Sequence, residues 1–247
     1  MLQTIVLAAG KGSRMQSSLP KPLVPVNGIP MLSRVLAVLV ESGLAPAPVI
    51  VVGSWTNAIQ EFYGSKYTYA IQEVINGTAT AVQAALPHLT INVGAPPVLI
   101  LYADHPFLQP DSIMQIAKAH QETMATLTMY TVTAPDFKEW RQPFASFGRV
   151  VRDAAGEVQR IVEVKNATAD EVTITEVNPA LYCVNAVWLA QAVQQIKPNP
   201  LTGEYYLTDL VELAVATNKR ITTLSLPPEQ ALGLNSVADL QNAQQIY

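Results

Sequence analysis

An apolar run, Thr4 to Ala8, passes directly into Ala9-Gly10-Lys11-Gly12-Ser13-Arg14-Met15, and Leu19-Pro20-Lys21-Pro22-Leu23 follows soon after. The run reads as a buried strand. Two glycines then let the backbone turn tightly and come close to a ligand. Consecutive backbone N–H groups in such a turn make a concave anion site. Arg14 and Lys21 add fixed positive charge beside it. The guest this implies is a nucleoside triphosphate. The loop therefore calls for an α/β sheet, in which ligands sit beyond the carboxyl ends of the strands.

Two familiar phosphate motifs are excluded. The dinucleotide fingerprint G-x-G-x-x-G would need glycine where Met15 stands. The Walker pattern G-x-x-x-x-G-K-[ST] does not occur in the chain. A strand followed by A-A-G-x-G-x-R-M and then P-K-P instead resembles the nucleotidyltransferases that make nucleotide sugars.

Size and charge narrow the reading. The 247 residues suit one large or two small domains, and 49% apolar against 14% charged residues is a folding composition. No apolar run approaches the ~18 residues of a membrane span, and no signal peptide is expected at the N-terminus. The single cysteine, Cys183, sits in an apolar run; it excludes an internal disulfide or a cysteine metal cluster and makes the cytoplasm the expected compartment. A net charge of −4 without a basic run argues against nucleic acid. An acidic protein that takes a triphosphate must neutralise it locally, which falls to Arg14, Lys21 and a divalent cation.

Strands and helices alternate through the first half. Strands are expected at Thr4–Ala8, Val49–Val52, Thr68–Ile71 and Val98–Tyr102. Helices are expected after Pro30, ending at Gly43, and at Thr56–Tyr63, Ala79–Leu86 and Pro110 to about Glu122. Asn27-Gly28 marks a tight turn. This alternation predicts a parallel sheet covered on both faces, with Gly10 and Asp104 both just past strand ends. From about Ala125 strands dominate: Leu127–Val132, Ser146–Val151, Val158–Val164, Val172–Val177 and Leu181–Val184, several separated only by turns such as Asp153-Ala154-Ala155-Gly156. Helices return at Ala186–Ile196, Thr208–Asn218 and Ser236–Tyr247. The expectation is one α/β domain over 1–247, a mixed central sheet with helices on both faces. Residues up to about 124 form a nucleotide-binding half, and a smaller antiparallel extension in 125–247 closes over the site from a sugar-binding half.

Further segments match one family in the same order. They are Gln72 with Gly77-Thr78-Ala79, then Leu101-Tyr102-Ala103-Asp104-His105-Pro106, then Phe147-Gly148-Arg149-Val150-Val151. After these come Ile161-Val162-Glu163-Val164-Lys165-Asn166-Ala167, Thr202-Gly203-Glu204-Tyr205-Tyr206-Leu207-Thr208-Asp209 and Gly233-Leu234-Asn235. From about Leu2 to Leu240 the chain resembles the N-terminal uridylyltransferase domain of the bifunctional N-acetylglucosamine-1-phosphate uridylyltransferase/glucosamine-1-phosphate acetyltransferase. The hexapeptide-repeat β-helix of that family's acetyltransferase half is not expected in these residues.

The resemblance implies a Rossmann-like nucleotide-diphospho-sugar transferase fold and a Mg2+-dependent reaction of UTP with a sugar 1-phosphate. By that resemblance Leu7, Ala8, Ala9, Gly10, Lys11, Gly12, Gln72, Gly77, Thr78 and Tyr102 hold the nucleotide. Arg14 and Lys21 meet the triphosphate, while Asp104 and Asn235 hold the metal. Gly148, Glu163, Asn178 and Tyr205 surround the sugar. The chemistry of these residues agrees. The Gln72 amide can donate and accept at a base edge. Gly77 would let the backbone approach the base. Magnesium needs only one or two protein oxygens. Fixed cations stabilise the charge that develops at a phosphate under attack. Thr78 is open to two roles, helix cap and ligand contact. His105 reads as a polar neighbour, and Lys165 as a partner of Glu163 or of phosphate.

Two departures bear on the sugar. Ala103-Asp104 replaces the family's Gly-Asp, and Asn178-Pro179-Ala180 replaces Asn-Thr-Gly or Asn-Ser-Gly; proline removes a donor and alanine adds a methyl. N-acetylglucosamine 1-phosphate is the expected sugar. Another sugar or nucleotide on the same fold, or a non-catalytic nucleotide sensor, stands as the alternative.

Overall fold

The computed structural model describes residues 1–44 and 47–246. Six strands and four helices build the first half. They are β1 (Gln3–Leu7), β2 (Pro25–Val26), β3 (Ile29–Pro30), α1 (Met31–Glu41), β4 (Val49–Gly53), α2 (Ala58–Tyr63), β5 (Thr68–Gln72), α3 (Thr78–Ala85), β6 (Val98–Tyr102) and α4 (Pro110–Thr123), β2 and β3 forming a separate small hairpin. The second half adds β7 (Leu127–Thr133), β8 (Arg149–Arg152), β9 (Val158–Val162), α5 (Ala169–Val172), β10 (Glu176–Val177), β11 (Tyr182–Val184), α6 (Ala186–Ala192), α7 (Asp209–Ala216), β12 (Ile221–Ser225) and α8 (Val237–Ile246).

One ten-stranded sheet runs through both halves in the order β5-β4-β1-β6-β11-β7-β10-β8-β9, with β12 on β7. The strands β5, β4, β1 and β6 are parallel, whereas β11 runs antiparallel to β6 and β7. Parallel strands buried on both faces are continuous apolar runs, which is what Val49–Val52 and Val98–Leu101 are. Side chains alternate between the faces: Val6, Ile50 and Val52 join one core, Ile5, Leu7, Val49 and Val51 the other. Helices α1 and α4 contribute to the first core, α3, α6 and α7 to the second. Among the described residues no helix is long and apolar enough to cross a membrane.

Register positions the site. Leu7 pairs with Tyr102, so β1 and β6 end together and release the glycine loop and Asp104 at one edge. The antiparallel piece β8–β10 lies beyond β7, and Val177 opposes Val132 while Tyr182 opposes Met129. Four residues, Asn178 to Leu181, thus face only Tyr130 and Thr131 and bulge from the sheet. Ala180 takes the left-handed conformation there (φ +59°), with its N–H donated to Asn178 Oδ1 at 3.0 Å.

Two expectations need correction, and one strand was not expected. Residues 172–177 are not one strand. Thr168 and Glu171 form a capping box that makes Ala169–Val172 a short helix and leaves only Glu176–Val177 to pair. Ser146 belongs to a 3-10 segment, Glu139–Ser146, before β8 rather than to a strand. Ile221–Ser225, which gave no clear signal among its threonines, is a full strand on β7. Of the last expected helix, Val237–Ile246 forms, and Tyr247 lies outside the described residues.

Candidate active site

The glycine loop leaves β1 at Ala8, whose N–H donates to Val51 O at 2.8 Å, and Ala103 N–H donates to Leu7 O at 3.0 Å. The start of the loop is therefore anchored to the strands on either side of β1. Trp55, after β4, braces the loop from outside: its indole N–H donates to Ala9 O at 3.1 Å. The indole lies where a Cβ of residue 53 would be, 2.3 Å away, so Gly53 is its seat. Gly12 has φ +62°, and a Cβ on it would lie 2.4 Å from Lys21 Cβ. Its lack of a side chain admits the lysine stem.

Lys21 is buried, and its ammonium reaches two acceptors from distant segments: Asp104 Oδ2 and, at 2.7 Å, Asn235 Oδ1. Leu234 N–H donates to Asp104 O at 3.0 Å, which sets Asn235 beside Asp104. Asp239 Oδ2 accepts from the N–H groups of Asn235 (2.8 Å) and Ser236 (2.9 Å), fixing that turn at the start of α8. His105 Nδ1 lies 3.1 Å from Asp104 Oδ1. Burial raises the Asp104 carboxyl, but the Lys21 charge and His105 outweigh it and hold the group far below the usual carboxylate range. Two oxygens that share one cation are a donor set that could hold a hard divalent ion such as magnesium.

Two adjoining cavities open on this point. One, of about 280 Å³, is lined by Leu7, Ala8, Ala9, Gly10, Lys21 and Gln72 at the strand ends, with Gly77 and Thr78 opposite. The other, of about 360 Å³, takes Arg14, His105, Gly148, Glu163, Asn178 and Asn235. Thr78, Tyr102, Asp104 and Tyr206 line both. Lys11 is exposed and faces neither cavity, and Gly12 serves the Lys21 stem.

In the first cavity Gln72 is buried, and its Nε2 donates to Gly77 O (2.9 Å) and Thr80 Oγ1 (2.8 Å). With both amide hydrogens engaged, the group it has left for a ligand is Oε1, an acceptor. The freedom of Gly77 (φ +135°) admits the Tyr205 backbone, 2.2 Å from a Cβ built there, and the residue also lines the cavity. Thr78 Oγ1 accepts from Leu207 N at 2.9 Å; this bond to the second half is neither of the roles left open for it.

In the second cavity Glu163 Oε1 accepts from Thr208 Oγ1 at 3.0 Å. Its carboxyl is raised, first by burial and then by the charges of Asp209 and Glu204. A Cβ on Gly148 would lie 2.6 Å from Ile161 Cγ2, so the glycine makes room for that side chain beside Glu163. Asn178 spends its amide locally, donating to Tyr182 Oη at 2.6 Å and accepting from Ala180. The Tyr205 ring packs against the core, and the neighbouring Tyr206 lines the site. Tyr206, Thr208, Trp55 and Arg149 were not singled out from sequence. Arg149 is fully buried and donates to Phe147 O (2.5 Å) and Ala145 O (3.0 Å), which shapes the cavity wall. A cationic residue in an apolar strand was its one available signal.

Comparison with known proteins bears on family and fold. Residues 4–176 match the family model of MobA-like NTP transferase domains. The chain is 37% identical over 244 residues to the bifunctional protein GlmU of Brevibacillus brevis, covering 98% of this chain and 51% of that protein. It is 36% identical over 247 residues to the GlmU of Desulfotalea psychrophila, covering 99% and 70% respectively. The chain thus spans about half the length of most curated relatives it matches. A solved UDP-glucose pyrophosphorylase complexed with UDP-glucose shares the fold, with a TM-score of 0.77 at 17% identity over 100% of this chain and 98% of that one. A putative glucose-1-phosphate thymidylyltransferase from Bacillus anthracis superposes with the same TM-score and identity, over 100% and 95%. The glycine loop, the Lys21–Asp104–Asn235 cluster and the matched span lead to one conclusion: the chain belongs to the MobA-like NTP transferase family.

Proposed function

We propose that the protein transfers the uridylyl group of UTP to a sugar 1-phosphate, giving a UDP-sugar and pyrophosphate, with N-acetylglucosamine 1-phosphate as the sugar substrate. The observation that carries this reading is that two adjoining cavities, one at the glycine loop and one at Glu163, share Asp104, Thr78, Tyr102 and Tyr206, with Lys21 beside Asp104. Two substrates seated in these cavities would meet at the cationic cluster.

The chemistry needs no protein nucleophile. A phosphate oxygen of the sugar 1-phosphate attacks the α-phosphorus of UTP. The bond from that phosphorus to the bridging oxygen of the β-phosphate breaks, and pyrophosphate leaves with its electron pair. Holding the reactants in line and neutralising charge supply the rate. Lys21, and Arg14 on the sugar side, offer the fixed cations. Asp104 Oδ2 and Asn235 Oδ1 are the oxygens that would hold Mg2+, which when bound neutralises phosphate charge. Gln72 Oε1 suits the N3–H of uracil, because cytosine presents an acceptor at that position. Glu163 accepts from sugar hydroxyls. The supply of UTP makes the cytoplasm the natural compartment.

The test is pyrophosphate release from each nucleoside triphosphate with a panel of sugar 1-phosphates and Mg2+. UTP with N-acetylglucosamine 1-phosphate should turn over fastest. Release of no pyrophosphate from any pair would leave a nucleotide sensor as the reading. Faster turnover with thymidine triphosphate or another sugar would move the substrate and keep the reaction class.

A further inference from the structure

We propose that Lys21 is an exchangeable counter-cation: in the nucleotide-free protein its ammonium fills the place between Asp104 and Asn235 that a divalent ion would take, and a triphosphate draws it off. Metal and nucleotide then bind as a coupled pair. The inference rests on the proposed reaction for the identity of the triphosphate, but its central contact is independent of base and sugar.

Three observations support it. First, the same ammonium meets Asp104 Oδ2 and Asn235 Oδ1, which come from segments 83 and 214 residues away in sequence. An ammonium donates to these oxygens along the lone pairs a metal would use, so the two cations exclude each other by position and by charge. Second, the stem is confined. Lys21 is 8% exposed and its Cβ packs where Gly12 would carry a side chain, so the amine has a short range of travel. Third, that travel leads to a ligand site. Lys21 lines the same cavity as Gly10 and Asp104, where the backbone amides of the loop would hold phosphates. A polyanion there gives the ammonium new partners and leaves Asp104 an unpaired carboxylate in a largely buried position. A divalent cation relieves that condition, and the coupling is reciprocal by linkage.

The test reads Mn2+ binding to the nucleotide-free protein by electron paramagnetic resonance. Wild type should bind weakly. Lys21→Met keeps the aliphatic stem and removes the charge, and should bind Mn2+ about tenfold or more tighter. Lys21→Arg should stay as weak as wild type. Adding Asp104→Asn to Lys21→Met should abolish the gain. Lys21→Met binding no tighter than wild type would overturn the exchange, as would a gain that survives Asp104→Asn. A second measurement needs no change at the lysine of the protein observed. With 13C at lysine Cε, and the Lys21 signal assigned by its loss in Lys21→Arg, that signal should hold its position in Mg2+ alone and move when UTP is added with Mg2+. Movement in Mg2+ alone, or none with UTP and Mg2+, would overturn the proposal even if Lys21→Met did not fold. Failure of the turnover assay would reject the uridylyltransferase reading while the Mn2+ series still decided the exchange.

Discussion

A Cβ built on Gly77 would lie 2.2 Å from the carbonyl oxygen of Tyr205. The two segments are tied at this point by Tyr205 N–H to Asn76 O (2.8 Å) and Ala79 N–H to Tyr205 O (3.0 Å). Gln72 in turn donates to Gly77 O. The residue expected to touch the base and the segment expected to touch the sugar are therefore one structural unit. Its geometry depends on the absence of a single methyl group.

Gly77→Ala should cost about 2–4 kcal/mol of stability, from the steric conflict together with a strained φ. Because the displaced backbone also carries the partner of Gln72, KM for UTP should rise. Urea unfolding and steady-state kinetics check both. A variant with wild-type stability would show that the Tyr205 segment yields freely.

Asp104→Asn should keep the fold and lower turnover by about two to three orders of magnitude, the scale of losing one charge-stabilising group. Lys21→Ala should fall in the same range, since its ammonium meets both Asp104 and Asn235. Turnover with Mg2+ near wild type in either variant would remove that residue from the proposed machinery.

Local chemistry explains what was readable beforehand. The continuous apolar runs of β1, β4 and β6 and the glycine loop have no other good environment than a parallel sheet edge. Asp104 was legible from its place after β6. Tyr205 and Tyr206 were not separable, because neighbouring aromatics on an irregular segment carry no periodicity, and the choice between core and cavity is made by backbone bonds to Asn76 and Ala79. The helix at Ala169–Val172 lay hidden because Thr168 and Glu171 set it by capping rather than by hydrophobic pattern. Trp55 carries no local signal, because its role depends on Ala9, 46 residues away.

Trp55→Phe removes the donor to Ala9 O and keeps most of the ring on Gly53. Losing one such bond costs about 1 kcal/mol, so KM for UTP should rise roughly fivefold. KM for the sugar phosphate should stay unchanged. If the two KM values rise together, the bond supports the whole domain and not the loop.

Glu163→Gln keeps size and still accepts from Thr208, but loses the negative charge. Hydrogen bonds to a charged partner exceed neutral ones by about 1 kcal/mol. KM for the sugar phosphate should therefore rise roughly five- to tenfold, with KM for UTP unmoved. A fall in kcat at constant KM would place Glu163 outside the sugar contact.

Asp209 opens α7, where the helix dipole favours a negative charge, yet its carboxyl is pushed up to about 6, first by burial and then by the charge of Glu212. The folded protein therefore holds this proton longer than the unfolded chain does. Such a group contributes stability below the unfolded value of 3.8 and loses it as pH rises through about 6. Above that pH the ionised side chain is a liability that Asp209→Asn removes. Discounted for its partial exposure, the gain should be about 1 kcal/mol at pH 7.5, and it should vanish near pH 3.5. Thermal unfolding of both proteins across this range checks the sign. A variant less stable than wild type at pH 7.5 would mean that the favourable dipole at the start of α7 outweighs the burial of Asp209.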